Sequence, residues 1–79
     1  MLNSSQEQRL RTVVANALGL DPTNLPEDAS PQTVAQWTSL NHLVIMAAVE
    51  EAFAVTFTME EMASVQSLTD IRRLLSVMG

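Results

Sequence analysis

The sequence contains no cysteine and no lysine, and each absence excludes a class of chemistry. Without cysteine, the chain has no disulfide, no zinc-thiolate cluster and no thiol nucleophile of its own. Without lysine, all of its positive charge comes from four arginines near the two ends, namely Arg9, Arg11, Arg72 and Arg73. The sequence also shows no evident metal site and no complete catalytic constellation, so we expect neither.

Positive charge is missing from the whole middle of the chain. Between Thr12 and Ile71 every full charge is negative, and the net charge is −5. Such a surface repels phosphate backbones and attracts basic protein surfaces. The acidic surface therefore predicts protein partners with basic patches and no nucleic-acid partner. Solubility of a small apolar domain is the alternative explanation.

Long apolar runs are absent as well. The longest, from Leu43 to Val49, is far too short to span a bilayer. Residues 1–7 also lack the basic start and apolar centre of a signal peptide. We therefore expect one small cytoplasmic domain over residues 1–79, a monomer without a membrane span.

The apolar residues that are present recur at helical spacing in four segments. They predict helices from about Gln6 to Leu18, from Ser39 or Leu40 to Phe53, from Thr58 to about Ala63, and from Ser67 onward. Ser4 and Glu7 have the spacing of a capping box at the first helix, and Gly19 is suited to ending it. The fold expected is an all-α four-helix bundle, with three longer helices, one short one, and a long loop between helices one and two.

Large apolar residues of these segments are the expected core. They are Leu10, Val14, Leu18, Leu43, Met46, Phe53, Phe57, Ile71 and Leu75. The second helix is unusual because apolar residues cover nearly its whole circumference, and so small a bundle cannot surround it. Part of this helix is therefore expected to face a ligand, an acyl cavity or a partner protein. A central core helix with incidental exposure is the alternative.

Ser39 is the leading candidate for chemistry because it lies where the second helix begins. The first turn of a helix has unpaired N–H groups and the positive end of the macrodipole, so it favours an attached phosphate. The alternative is that Ser39 only caps the helix. His42 lies three residues later, but no acid is placed to orient its imidazole. We interpret it as a surface histidine rather than a general base, and Trp37 as a packing residue that anchors the loop.

The segment Trp37-Thr38-Ser39-Leu40 resembles the signature of the acyl and peptidyl carrier protein family, which is Asp-Ser-Leu at the start of the second helix, often preceded by Trp. Residues 50–55 resemble the family's Glu-Glu-x-Phe-Gly-Val segment, with Ala54 in place of glycine. Residues 65–71 resemble the start of its fourth helix. The resemblance covers essentially the whole chain.

This resemblance implies that Ser39 receives 4′-phosphopantetheine from coenzyme A through a separate phosphopantetheinyl transferase. The thiol of that arm would carry acyl or aminoacyl groups as thioesters to the enzymes that load and use them. The pathway implied is fatty-acid, polyketide or specialised acyl metabolism. The chain itself would not be an enzyme. The alternative is a carrier-fold interaction module that is not modified.

Thr38 departs from the family pattern, because the family has aspartate at this position. Threonine keeps a capping hydroxyl but lacks the charge that, by the resemblance, helps to engage the transferase and its metal ion. We therefore expect Thr38 to limit modification by a general transferase rather than to prevent it.

The resemblance also implies that partners dock on the second and third helices. The candidate contact residues there are Val44, Glu50, Glu51, Glu60 and Glu61. The family usually displays several acidic residues near the start of its second helix, where this chain has Asn41, Val44 and Ala48. A partner surface with both basic and apolar patches is therefore expected, and plain solvation of the acidic side chains is the alternative.

Overall fold

The computed structural model describes residues 2–78, in which four α-helices surround one core. In chain order they are α1 (Ser4–Leu18), α2 (Ser39–Phe53), α3 (Met59–Ser64) and α4 (Leu68–Met78). The connection between α1 and α2 contains one 3-10 turn, Pro22–Asn24, which was not expected. The predicted all-α bundle, with three longer helices, one short one and a long first loop, is confirmed.

The ends of α1 follow from local side-chain chemistry. Asn3 caps the helix by accepting the N–H of Gln6, and the Gln6 side chain bonds back to the N–H of Asn3. The predicted box of Ser4 and Glu7 is therefore wrong by one residue, since asparagine is itself a strong N-cap. Gly19 ends α1 with a φ of 72°, as its lack of a side chain allows.

The short helix α3 begins as predicted. The Thr58 hydroxyl accepts the N–H of Glu61, and the Glu61 carboxylate accepts the N–H of Thr58, so the two residues form a capping box. These reciprocal bonds satisfy backbone groups that a helix end otherwise leaves unpaired.

The core is formed by one face of each longer helix together with the loop. The expected core residues that are buried are Leu10, Val14, Leu18, Met46, Phe57, Ile71 and Leu75. Leu43 was expected there but is 58% exposed, and Phe53 is only half-buried. The opposite side of α2, with Ile45 and Val49, packs inward instead. Because α2 is apolar on every side, its sequence pattern does not show which side faces the core.

Side chains of α1 and α4 hold the long loop against the bundle. The Arg11 guanidinium donates hydrogen bonds to the carbonyls of Pro22 and Leu25. The Asp28 carboxylate accepts the Thr69 hydroxyl at 2.6 Å and the Thr69 N–H at 3.3 Å. The loop buries four apolar residues, namely Leu25, Ala29, Val34 and Trp37. Within residues 2–78, no helix has the length and apolar character required to cross a membrane.

Candidate functional site

The first turn of α2 separates the capping residue from the candidate residue. Thr38 is the N-cap, with extended backbone, and its hydroxyl accepts the N–H of Asn41 at 3.2 Å. The suggestion that Ser39 only caps the helix is therefore wrong, since Thr38 performs that role. Ser39 is the first helical residue and is exposed to solvent. Its hydroxyl is thus accessible and is not required for the cap.

The electrostatic setting of Ser39 favours a phosphate. The N–H groups of Ser39 and Leu40 precede the first N–H that bonds within the helix, and the positive end of the macrodipole lies beside them. The first turn, Ser39-Leu40-Asn41-His42, contains no carboxylate that would repel an anion. A phosphodiester on the Ser39 oxygen would therefore lie next to backbone donors.

A cavity of about 300 Å³ opens beside Ser39. It is bounded by the end of the loop, the first turn of α2 and the end of α3, through Pro31, Trp37, Thr38, Ser39, His42, Ala63 and Val65. The indole of Trp37 and the side chains of Ala63 and Val65 give it apolar walls, while Thr38 and Ser39 form a polar edge. A group attached to Ser39 would therefore adjoin a space of mixed polarity.

His42 bridges the loop to α3. The indole N–H of Trp37 donates to His42 Nδ1 at 3.0 Å, and the two rings stack with their centroids 6.1 Å apart. On the other side of the ring, His42 Nε2 lies 2.9 Å from the carbonyl oxygen of Met62. The interpretation of His42 as a surface histidine is wrong, because the side chain is half-buried and engaged at both nitrogens.

These contacts determine which ring nitrogen carries the proton. An indole N–H only donates, so Nδ1 of His42 accepts, and in the neutral ring the proton is on Nε2. That N–H then donates to the Met62 carbonyl. His42 is therefore not oriented as a general base for Ser39. Trp37 is 3% exposed, and it anchors the loop as expected.

An exposed apolar surface extends from Ser39 along α2. Leu40 is 71% exposed, Leu43 58% and Val44 43%. Their spacing of three and four residues places them on one side of the helix. We call these three residues the α2 apolar face. Part of α2 therefore lies outside the core, on this side of the helix.

A shallow groove runs between α1 and α2 beside this face. Its volume is about 380 Å³, and its lining residues are Val13, Asn16, Ala17, Val44, Ala48, Glu51 and Ala52. Val44 therefore belongs both to the groove and to the α2 apolar face. Glu51 is exposed and places one negative charge at the groove.

The acidic residues proposed for docking differ in what their side chains already contact. The Glu50 carboxylate accepts the N–H of Phe57 at 2.7 Å, and Glu61 belongs to the α3 capping box. Glu51 and Glu60, in contrast, are exposed. Changing Glu50 or Glu61 therefore alters the fold as well as the surface, whereas Glu51 and Glu60 test the surface alone.

Two features of the site were not predicted from the sequence. One is the bridge from Trp37 through His42 to Met62. A buried indole N–H normally requires an acceptor, and that requirement could have suggested His42, the chain's one histidine, as the partner of Trp37. The other is the Arg11 contact that shapes the loop. Arginine donating to loop carbonyls has no local sequence signature, because its partners depend on the tertiary fold.

No model of a known protein family matches the chain. Within residues 2–78, acidic and histidine side chains do not cluster in threes as a metal site requires.

Proposed function

We propose that this chain is an acyl or peptidyl carrier domain that bears 4′-phosphopantetheine on Ser39. A separate phosphopantetheinyl transferase would move the group from coenzyme A. The Ser39 oxygen would lose its proton and bond to the pantetheine-bearing phosphorus, and 3′,5′-ADP would leave. The arm supplies the thiol that forms thioesters. This chain supplies an attachment point, an adjoining cavity and a recognition surface.

The observation that carries the proposal is the exposed Ser39 hydroxyl at the first position of α2, with the cap supplied by Thr38. Helix N-termini stabilise phosphate groups. The cavity beside Ser39 gives the attached arm a place to lie. Because His42 is turned toward Trp37 and Met62, activation of the serine is assigned to the transferase and the chain is not proposed as an enzyme.

The partners proposed are the transferase and the enzymes that load and use the acyl group. The α2 apolar face, together with the exposed carboxylates of Glu51 in α2 and Glu60 in α3, favours partner surfaces that combine an apolar patch with basic residues. The net charge of −5 disfavours nucleic acid. We further propose that the chain acts as a monomer in the cytoplasm, in fatty-acid, polyketide or specialised acyl metabolism.

The test is the intact mass after incubation with coenzyme A and a phosphopantetheinyl transferase. The expected result is a gain of one phosphopantetheine group that Ser39→Ala abolishes. Ser4→Ala is the matched control, because Ser4 is the first residue of α1 and is also exposed. Modification of the Ser39→Ala variant would contradict the assignment.

A carrier-fold interaction module without a cofactor is the second candidate. The observation that favours it is Thr38, which leaves the position before Ser39 uncharged. No gain in mass with a broad panel of transferases, together with partner binding that Ser39→Ala leaves unchanged, is the result this alternative predicts.

A further inference from the structure

Helix α3 has few anchors of its own. None of its residues is buried, and Met62 only packs half-buried against the core. The buried residues of this region, Phe57 and Val65, lie outside α3 on either side. A helix of six residues is too short to be stable alone. Its position therefore depends on the contacts at its two ends.

One of those contacts comes from α2. His42 Nε2 donates to the carbonyl of Met62 in the last turn of α3, and the same carbonyl also accepts the N–H of Val65 at 3.4 Å. The opposite nitrogen of the same ring is fixed by the indole of Trp37. Because Trp37 is itself buried, the bridge connects α3 to a rigid point of the loop.

The bridge also adjoins the cavity beside Ser39. Ala63 follows Met62 directly, and Ala63 and Val65 form one wall of that cavity. Ser39 and His42, in the first turn of α2, line the same cavity. A bond that fixes the Met62 carbonyl relative to His42 thus helps to fix the distance between the α3 and α2 residues that line the cavity.

We propose that His42 is a positioning residue that holds α3 beside the first turn of α2 and so sets the width of the cavity next to Ser39. The bridge exists whether or not Ser39 is modified. Its consequence rests on the proposed function: the cavity width then limits the size of a group carried at Ser39 that can be sheltered there.

Two variants of His42 separate its two hydrogen bonds. Glutamine places an amide N–H near the position of Nε2, so His42→Gln keeps the donor to Met62. Asparagine places its carbonyl near the position of Nδ1, so His42→Asn keeps the acceptor for Trp37 but loses the donor to Met62. Both substitutes are polar amides, and each serves as the matched control for the other.

The measurement is amide hydrogen exchange on the unmodified protein, read at α3 and at α4. In His42→Asn the α3 amides of residues 62–64 should exchange roughly fivefold to tenfold faster than in the original chain, as expected for one lost hydrogen bond. In His42→Gln they should stay within about twofold of the original rate. Amides of α4, such as that of Leu75, should be unchanged in both variants.

A second readout is the nitrogen NMR spectrum of the His42 ring, which should show the proton on Nε2. A proton on Nδ1 would overturn the proposal. So would equal exchange rates in α3 for both variants, or a uniform acceleration in α3 and α4, which would make His42 a residue of general stability. None of these results depends on the transferase, so failure of Ser39 modification leaves this test intact.

Discussion

At the scale of single residues, the cap of α2 and the candidate attachment position are neighbouring residues. The Thr38 hydroxyl caps the helix, and Ser39 remains exposed at the first helical position. A helix whose cap depended on the modified serine would lose that bond when a large group was attached. Here the cap and the candidate attachment position are different residues, so a group attached at Ser39 would leave the cap in place.

Replacing Thr38 with aspartate should raise the rate of phosphopantetheine transfer by a general transferase. Aspartate also caps a helix, and it restores a negative charge at the position where the carrier family has one. Thr38→Asn is the matched control, since asparagine caps equally well but is uncharged. Transfer rates for both variants check the prediction, and equal rates for aspartate and asparagine would contradict it.

Replacing Ala54 with glycine should stabilise the fold. Ala54 ends α2 in the left-handed region, with a φ of 53°, where a side chain costs roughly 1–2 kcal/mol. Ala54→Gly should therefore raise the free energy of unfolding by about 1 kcal/mol. Ala47→Gly, at an exposed interior position of the same helix, should lower it by about 1 kcal/mol. Denaturant unfolding of both variants measures the difference, and changes of the same sign would refute the argument.

At the scale of elements, the sequence predicted the helices better than their packing. Caps and apolar spacing are local, so the N-cap of α3, Thr58, and the C-cap of α1, Gly19, could be predicted. The side of α2 that faces the core could not, because Leu43 and Ile45 are equally apolar. The predicted start of α2, at Ser39 or Leu40, left open whether Thr38 or Ser39 supplies the cap, because either hydroxyl can cap a helix.

Contacts between elements that are distant in sequence were also beyond prediction. Asp28 and Thr69 are 41 residues apart, and only the folded chain brings them together. The same holds for His42 and Met62, which complete the candidate site. The sequence indicated the position of Ser39 in the site, but it did not indicate the cavity beside that residue.

The contact between the loop and α4 should make stability sensitive to acid. The hydrogen bond from the Thr69 hydroxyl lowers the pKa of the Asp28 carboxyl below its ordinary value of 3.8. A lowered pKa means that this contribution to stability is fully present well above pH 4 and is lost as the pH falls through the folded-state value. The free energy of unfolding should therefore decrease on acidification below about pH 4.

Asp28→Asn should reduce this acid dependence, since asparagine does not titrate. Thr69→Val is the complementary variant, because it removes the bond that lowers the Asp28 pKa. Unfolding curves at pH 6 and near pH 3 provide the comparison. The interpretation fails if both variants lose as much stability between these values as the original chain does.

At the scale of the whole molecule, charge and exposed apolar surface are distributed in a way that favours protein partners. The four arginines lie near the chain ends, and Arg11, Arg72 and Arg73 already contact loop carbonyls or carboxylates. The α2 apolar face lies on the long acidic stretch between them. An acidic, partly apolar surface should attract a basic partner by charge and retain it by apolar contact.

Glu51→Lys should slow association with the transferase roughly severalfold at low salt and flatten its salt dependence. The melting temperature should not change, because Glu51 is exposed. Glu27→Lys is the control, since it changes the net charge equally at a loop side chain that is 93% exposed; its partner Arg72, 3.9 Å away, keeps its ion pair with Glu7. Association kinetics at two salt concentrations measure the effect, and equal slowing by both variants would show that only net charge matters.

The central claim is that Ser39 carries the group, and mass spectrometry of one peptide tests it most directly. After treatment with coenzyme A and the transferase, cleavage after glutamate releases residues 28–50, which contain Ser30 and Ser39 as their two serines. Fragmentation of this peptide should place one phosphopantetheine group on Ser39, and an acyl donor should then add a thioester that hydroxylamine removes. A group on Ser30, on another peptide, or on no peptide in the presence of an active transferase would contradict the account.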